Sequence, residues 1–122
     1  LSSTPKKLEG ITASNNLYRS SRNGVDNRIQ YLGNKKRFFK ISGAASFQAT
    51  ATSTIYIFYI AKNGTVVNQS KVYVNSNSTT DILAVPLQSI VELSPNDYVE
   101  VFAQRFSGSG NILTVSMNLI LN

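Results

Sequence analysis

Val91-Glu92-Leu93-Ser94-Pro95-Asn96-Asp97-Tyr98-Val99-Glu100-Val101-Phe102 reads as strand, tight turn, strand. Ser94-Pro95-Asn96-Asp97 suits a type I turn, with Pro95 pre-setting φ at its second position and Asn and Asp well suited to the positions after it. Residues 98–106 then alternate. Val99, Val101 and Ala103 fall on one face; Tyr98, Glu100, Phe102 and Gln104 fall on the other. That period of two marks a half-buried β-strand.

The same grammar extends outward in both directions. Residues 37–51 form a long strand with Phe39, Ile41, Gly43, Ala45, Phe47 and Ala49 on the core face. Residues 54–62 are the most apolar segment, and Lys62-Asn63-Gly64 after them is a hairpin signal. Residues 65–74 return, and 75–80 form a polar loop. Residues 81–93 carry Leu83, Val85, Leu87, Val91 and Leu93, with Pro86 marking an edge, bend or bulge. After the Gly/Ser-rich loop at 107–111, residues 112–121 close the chain. Leu113, Val115, Met117, Leu119 and Leu121 are expected together on its core face. No segment carries a helical period of any length. Strands at short, regular spacing with turn signals between them predict an all-β fold, an antiparallel β-sandwich or jelly roll of about eight to ten strands.

Composition agrees. The 122 residues are enough for one domain with its own core. Ser, Thr and Asn number 16, 9 and 13, about a third of the chain, whereas Glu occurs three times, which favours strands and polar turns. There is no Cys and no His, which excludes disulfides, thiol chemistry, Cys/His zinc sites and His-based triads. No apolar run approaches the 18 residues of a membrane-spanning helix, so no membrane insertion is expected.

The net charge of +6 is unevenly placed. Residues 1–40 hold nine Lys and Arg against Glu9 and Asp26, a net +7, and the remainder is −1. Residues 1–27 show weak periodicity and read as an extended basic N-terminal arm, ordered mainly by a partner, ahead of a domain at 28–122. Lys6, Lys7, Arg19, Arg22, Lys35, Lys36 and Arg37 are the candidate contacts for an acidic partner. Nucleic acid is not the expected partner, because its binding wants aromatics exposed between the cations and Phe38-Phe39 read as strand residues.

Residues 54–62 and 98–106 are apolar on both faces, so the face turned from the core must be covered or become a sticky patch. Tyr56, Phe58, Phe102 and Phe106 are the expected outward aromatics. With the small residues Ala44 and Ala84 they are the candidate oligomer contacts. Glu92, Asp97 and Glu100 read as solvated turn acids rather than a catalytic pair. Three Asn-x-Ser/Thr sequons, at Asn63, Asn68 and Asn77, read as chance matches in so polar a chain.

Three motifs in order carry a family resemblance. They are Arg37-Phe38-Phe39-Lys40-Ile41-Ser42-Gly43-Ala44-Ala45-Ser46-Phe47, then Ile57-Phe58-Tyr59-Ile60-Ala61-Lys62-Asn63-Gly64-Thr65, then the Ser94–Asp97 turn between its strands. Over residues 28–121 the chain resembles the tumour-necrosis-factor-like, complement-globular-head-like jelly roll. The likeness is greatest to the versions carried by bacteriophage and viral fibre or capsid-associated proteins. Asn96 stands where that pattern usually has Gly, and the final aromatic motif of the complement-type heads is absent. The resemblance implies a homotrimer, with the sheet of the first, third, sixth and last strands around a three-fold axis. The function expected from it is a non-enzymatic structural protein of the virion surface, either decorating a capsid or heading a fibre, with a capsid or fibre-stalk protein as partner and no cofactor. The alternative is a receptor- or carbohydrate-binding module engaging a host surface glycan or receptor.

Overall fold

The computed structural model describes residues 3–8, 20–21 and 28–122. Among them are ten strands, one 3-10 turn at Asn68–Ser70 and no α-helix. In chain order the strands are β1 (Lys6–Lys7), β2 (Ser20–Ser21), β3 (Arg28–Tyr31), β4 (Arg37–Ala49), β5 (Thr54–Lys62), β6 (Thr65–Val66), β7 (Val72–Ser76), β8 (Ile82–Leu93), β9 (Tyr98–Ser107) and β10 (Ile112–Leu121).

Two antiparallel sheets pack face to face. One has the order β10-β4-β8; the other runs β2-β3-β9-β5-β6, with β1 also on β9 and β7 also on β5. The chain is therefore an all-β antiparallel sandwich, as its periodicity predicts, and its strand order is compatible with a jelly roll. Pro86 sits in β8, which pairs only with β4 among the described residues, so its missing N–H falls on a sheet edge.

The core lies between the sheets. β4 contributes Ile41, Ala45, Phe47 and Ala49, and β8 contributes Val85, Leu87, Val91 and Leu93. Facing them are Tyr56, Phe58 and Ile60 of β5 and Val99, Val101 and Ala103 of β9. Phe47 is central to this packing, with ring centroids 5.7 Å from Tyr56 and 5.1 Å from Phe58. The Tyr56 hydroxyl reaches the sandwich end and donates to the Asn111 carbonyl at 3.0 Å, which satisfies a polar atom that burial would otherwise penalise.

Two expectations about outward faces are corrected. Tyr56 and Phe58 are fully buried in the core, and the outward set of β5 is instead Ile55, Ile57, Tyr59 and Ala61. A strand apolar on both faces carries no phase, so its register is set by neighbours that sequence periodicity does not show. β10 is corrected too. Its pairing with β4 slips between Thr114 and Ser116, leaving Val115 as an extra residue. Such a bulge reverses inward and outward alternation beyond it. Ile112 packs on the core before the slip and Met117, Leu119 and Leu121 after it, while Leu113 and Val115 point to solvent.

Parts of the N-terminal segment pair with the larger sheet. Leu8 is buried in the core cluster, its N–H donating to the Val101 carbonyl at 2.9 Å, and Lys6 and Lys7 pair with Ala103 and Phe102. Ser20 and Ser21 pair with Tyr31 and Gln30. These pieces of residues 1–27 belong to the domain's own sheet rather than awaiting a partner. Arg19 and Arg22 lie outside the described residues.

Candidate functional site

The outward face of the β10-β4-β8 sheet is an apolar surface in register. β4 runs down its middle with Lys40, Ser42, Ala44, Ser46 and Gln48, paired with Ile90, Gln88, Pro86, Ala84 and Ile82 of β8. On the other side Ile120, Asn118 and Ser116 pair with Ser42, Ala44 and Ser46. Ser42, Ala44, Ser46, Ala84 and Ser116 make part of the floor small, with Lys40, Gln48, Gln88 and Asn118 among them, and large exposed apolar side chains stand around it: Phe38 and Ile90, each 72% exposed, with Ile82, Leu113, Val115 and Ile120. Of the candidate contacts, Ala44 and Ala84 lie on this floor. The six large residues were not among the candidates. Phe38 and Ile90 were legible from alternation once the phase was known, whereas Leu113 and Val115 reach this face through the β10 bulge.

Phe102 and Phe106 are on the outward face of the other sheet, so the six candidate contacts do not form one surface. Phe102 is part-buried, flanked in register by Tyr59 and Lys7. Phe106 is exposed and meets Tyr73 edge to face at 5.3 Å.

The cations divide by role. Lys6 is exposed, as are Lys35 and Lys36 in the turn before β4 and Arg37 at its start. Lys36 pairs with Glu92 at 3.7 Å, an exposed contact worth under about 1 kcal/mol. Lys7 is not a free contact. Its Nζ lies 2.6 Å from Glu100 Oε2, and Arg28 Nε donates to the same oxygen at 3.3 Å while its guanidinium stacks 3.6 Å from the Tyr98 ring centroid. Glu100 is 3% exposed, so it is no solvated turn acid but a buried anchor that ties β1 and β3 to β9. Glu92 is on the outward face of the opposite sheet, so Glu92 and Glu100 do not form a carboxylate pair.

The two turns that mark the sequence interlock. Asn63 and Gly64 have φ of 51° and 83°, the pair of positive values a type I′ hairpin requires. Asn96 has φ 73° at the third position of the Ser94–Asp97 turn, so this turn is type II rather than the expected type I, with the Asp97 N–H donating to the Ser94 carbonyl at 3.0 Å. Asn63 bridges the turns: its Nδ2 donates to Asp97 Oδ1 at 2.9 Å and its Oδ1 accepts from the Tyr98 N–H at 3.0 Å. The Ser94 N–H donates to Asp97 Oδ2 at 2.9 Å, and Lys62 Nζ stands 3.6 Å away. Burial alone would push the Asp97 carboxyl up. The hydrogen bonds from Asn63 and Ser94 and the charge of Lys62 outweigh it and hold the group below its ordinary value.

No protein-family model matches the chain, and no curated protein matches it. The functional reading therefore rests on surfaces rather than on relatives. Two surfaces stand out by chemistry: the apolar face of β10-β4-β8 and the basic turn of Lys35, Lys36 and Arg37 beside it.

Proposed function

We propose that this chain is a non-enzymatic structural module of a virus or phage particle, a homotrimer displayed at the virion surface as capsid decoration or as the head of a fibre. The observation that carries the reading is the outward face of β10-β4-β8. Six large apolar side chains there are each half or more exposed, arranged around a floor in which Ser42, Ala44, Ser46, Ala84 and Ser116 are small. Covering them would supply on the order of 5–10 kcal/mol before the cost of association. Small floor residues let a neighbouring sheet approach closely. Three-fold closure is the part of the reading that comes from the resemblance to tumour-necrosis-factor-like jelly rolls, in which a heterologous contact closes after three copies.

The exposed cations Lys6, Lys35, Lys36 and Arg37 supply the contact to an acidic capsid or stalk partner. Such a contact weakens as salt shortens the Debye length below about 8 Å. The test of association is light scattering with Ile90→Glu and Ala84→Glu. Both positions are exposed on the face, so each variant keeps its β-sheet circular dichroism and falls to monomer mass. A wild-type chain that is monomeric at micromolar concentration overturns the reading, as do trimers that ignore both charges.

A further inference from the structure

We propose that the corner formed by Tyr73 and Phe106 on the outward face of the larger sheet binds an acidic saccharide, a pyranose carrying a carboxylate. Tyr73 is on β7 and Phe106 on β9, with β5 between them. Their rings meet on the outward face, beside a bulge in β9. The β5–β9 register passes from Ile55 opposite Ser107 to Tyr56 opposite Arg105, leaving Phe106 as the extra residue. Bulges re-aim side chains and recur beside functional sites. Phe106 lies 5.3 Å from Tyr73 at an interplanar angle of 83°.

The two rings stand on the face that carries Ile57, the register partner of Tyr73, and Ile57 is buried. Covering Ile57 accounts for part of each ring, yet Tyr73 remains 50% exposed and Phe106 58%. Two perpendicular aromatic walls suit the flat, C–H-rich face of a sugar ring. The exposed Asn75, next outward on β7, offers an amide to its hydroxyls. A few polar groups beside aromatic side chains are the usual make-up of a small-ligand site. The patch is two rings wide, far short of the roughly 1,000 Å² a stable protein interface needs.

Charge selects the acidic class. Lys71 Nζ stands 5.8 Å from the Tyr73 ring centroid, within cation–π range, and no carboxylate among the described residues forms a salt bridge with it. Among the described acids, Glu100, Asp97 and Glu92 are engaged by Lys7 and Arg28, Lys62, and Lys36 respectively, and the exposed Asp81 forms no salt bridge. Lys71 is exposed beside the two rings, where a ligand carboxylate can pair with it. The site is on the sheet opposite the association face, so each can fail without the other.

The experiment titrates the intact chain with sialyllactose and with trigalacturonate, lactose being the neutral control, and follows backbone amide shifts. Saturating shifts centred on Tyr73, Asn75 and Phe106 are expected with at least one acidic probe, and lactose binds at least about tenfold more weakly. Tyr73→Ala and Phe106→Ala lower affinity about tenfold or more. Lys71→Gln leaves both rings in place. It removes the acidic preference and its salt dependence, which keeps the test sharp even if a ring variant folds poorly. The proposal is overturned if neither acidic probe gives saturating shifts up to about 10 mM, if lactose binds equally well, if Lys71→Gln changes nothing, or if the shifts map to the Lys35–Arg37 turn instead.

Discussion

Glu100→Gln tests whether the N-terminal segment is held by charge. The glutamine keeps the shape of the side chain and removes its charge, leaving Lys7 and Arg28 facing a neutral amide. A single pair at 4 Å is worth about 4 kcal/mol at an effective dielectric of 20, and the two contacts here, 2.6 and 3.3 Å, are closer. Desolvation of the buried carboxylate offsets much of that gain. Removing one partner of a buried pair nonetheless costs about 3–5 kcal/mol. The Lys7 and Arg28 side chains keep 29% and 21% of their exposure and can rehydrate, which places the loss near the low end, about 3 kcal/mol. Urea denaturation at fixed protein concentration reads it. With a slope of about 1.5 kcal/mol per molar, the midpoint falls by about 2 M. Lys7→Met in both backgrounds completes a double-mutant cycle, and the pair should couple by about 1–2 kcal/mol. A loss under about 1 kcal/mol, or additivity within about 0.5 kcal/mol, would show that the segment is held by Leu8 and its backbone ladder alone.

Asp97 predicts an acid limb in stability. Its folded pKa lies below the ordinary 3.8, so its contribution is complete above that value and is lost as pH falls through the folded one. Asp97→Asn should flatten the dependence of the urea midpoint below about pH 5, and an unchanged limb would assign it to other carboxylates. The β10 bulge predicts opposite responses from two leucines on one strand. Leu119→Ala, against the core, should cost about 2 kcal/mol, and Leu113→Ala, 61% exposed, less than about 0.5 kcal/mol. Equal losses would place the bulge elsewhere. Phe58→Ala should cost about 3–5 kcal/mol as a core cavity, a stability effect rather than a loss of assembly. A well-folded Phe58→Ala chain with altered mass would restore Phe58 as a contact residue.

The sandwich was legible because alternation is a local property. Residues 98–106 and 37–49 announce their faces through period two, and the structure keeps both assignments. The Asn63-Gly64 hairpin was legible because only residues that tolerate positive φ fit it. The Asn96 turn was legible as a turn but not as type II, since Pro95 at the second position suits both types and φ at Asn96 is set by the hydrogen bonds around it. Of the candidate contacts, Ala44 and Ala84 reached the apolar face. Tyr56 and Phe58 did not, because β5 is apolar on both sides and its phase is decided by packing on Phe47.

By itself the sequence determined the class of fold, the placement of the turns and the uneven charge, because each depends on residues close together in the chain. Tertiary structure decided the rest. A single extra residue in β10 turns Leu113 and Val115 outward, and the pairing of β7 and β9 on either side of β5 brings Tyr73 and Phe106 together. Glu100 becomes a buried anchor only when Lys7 and Arg28 arrive from distant positions on the same sheet edge. Bulges and ion pairs of this kind depend on which strand lies alongside, and pairing partners separated by 70 residues or more leave no periodic trace in the sequence.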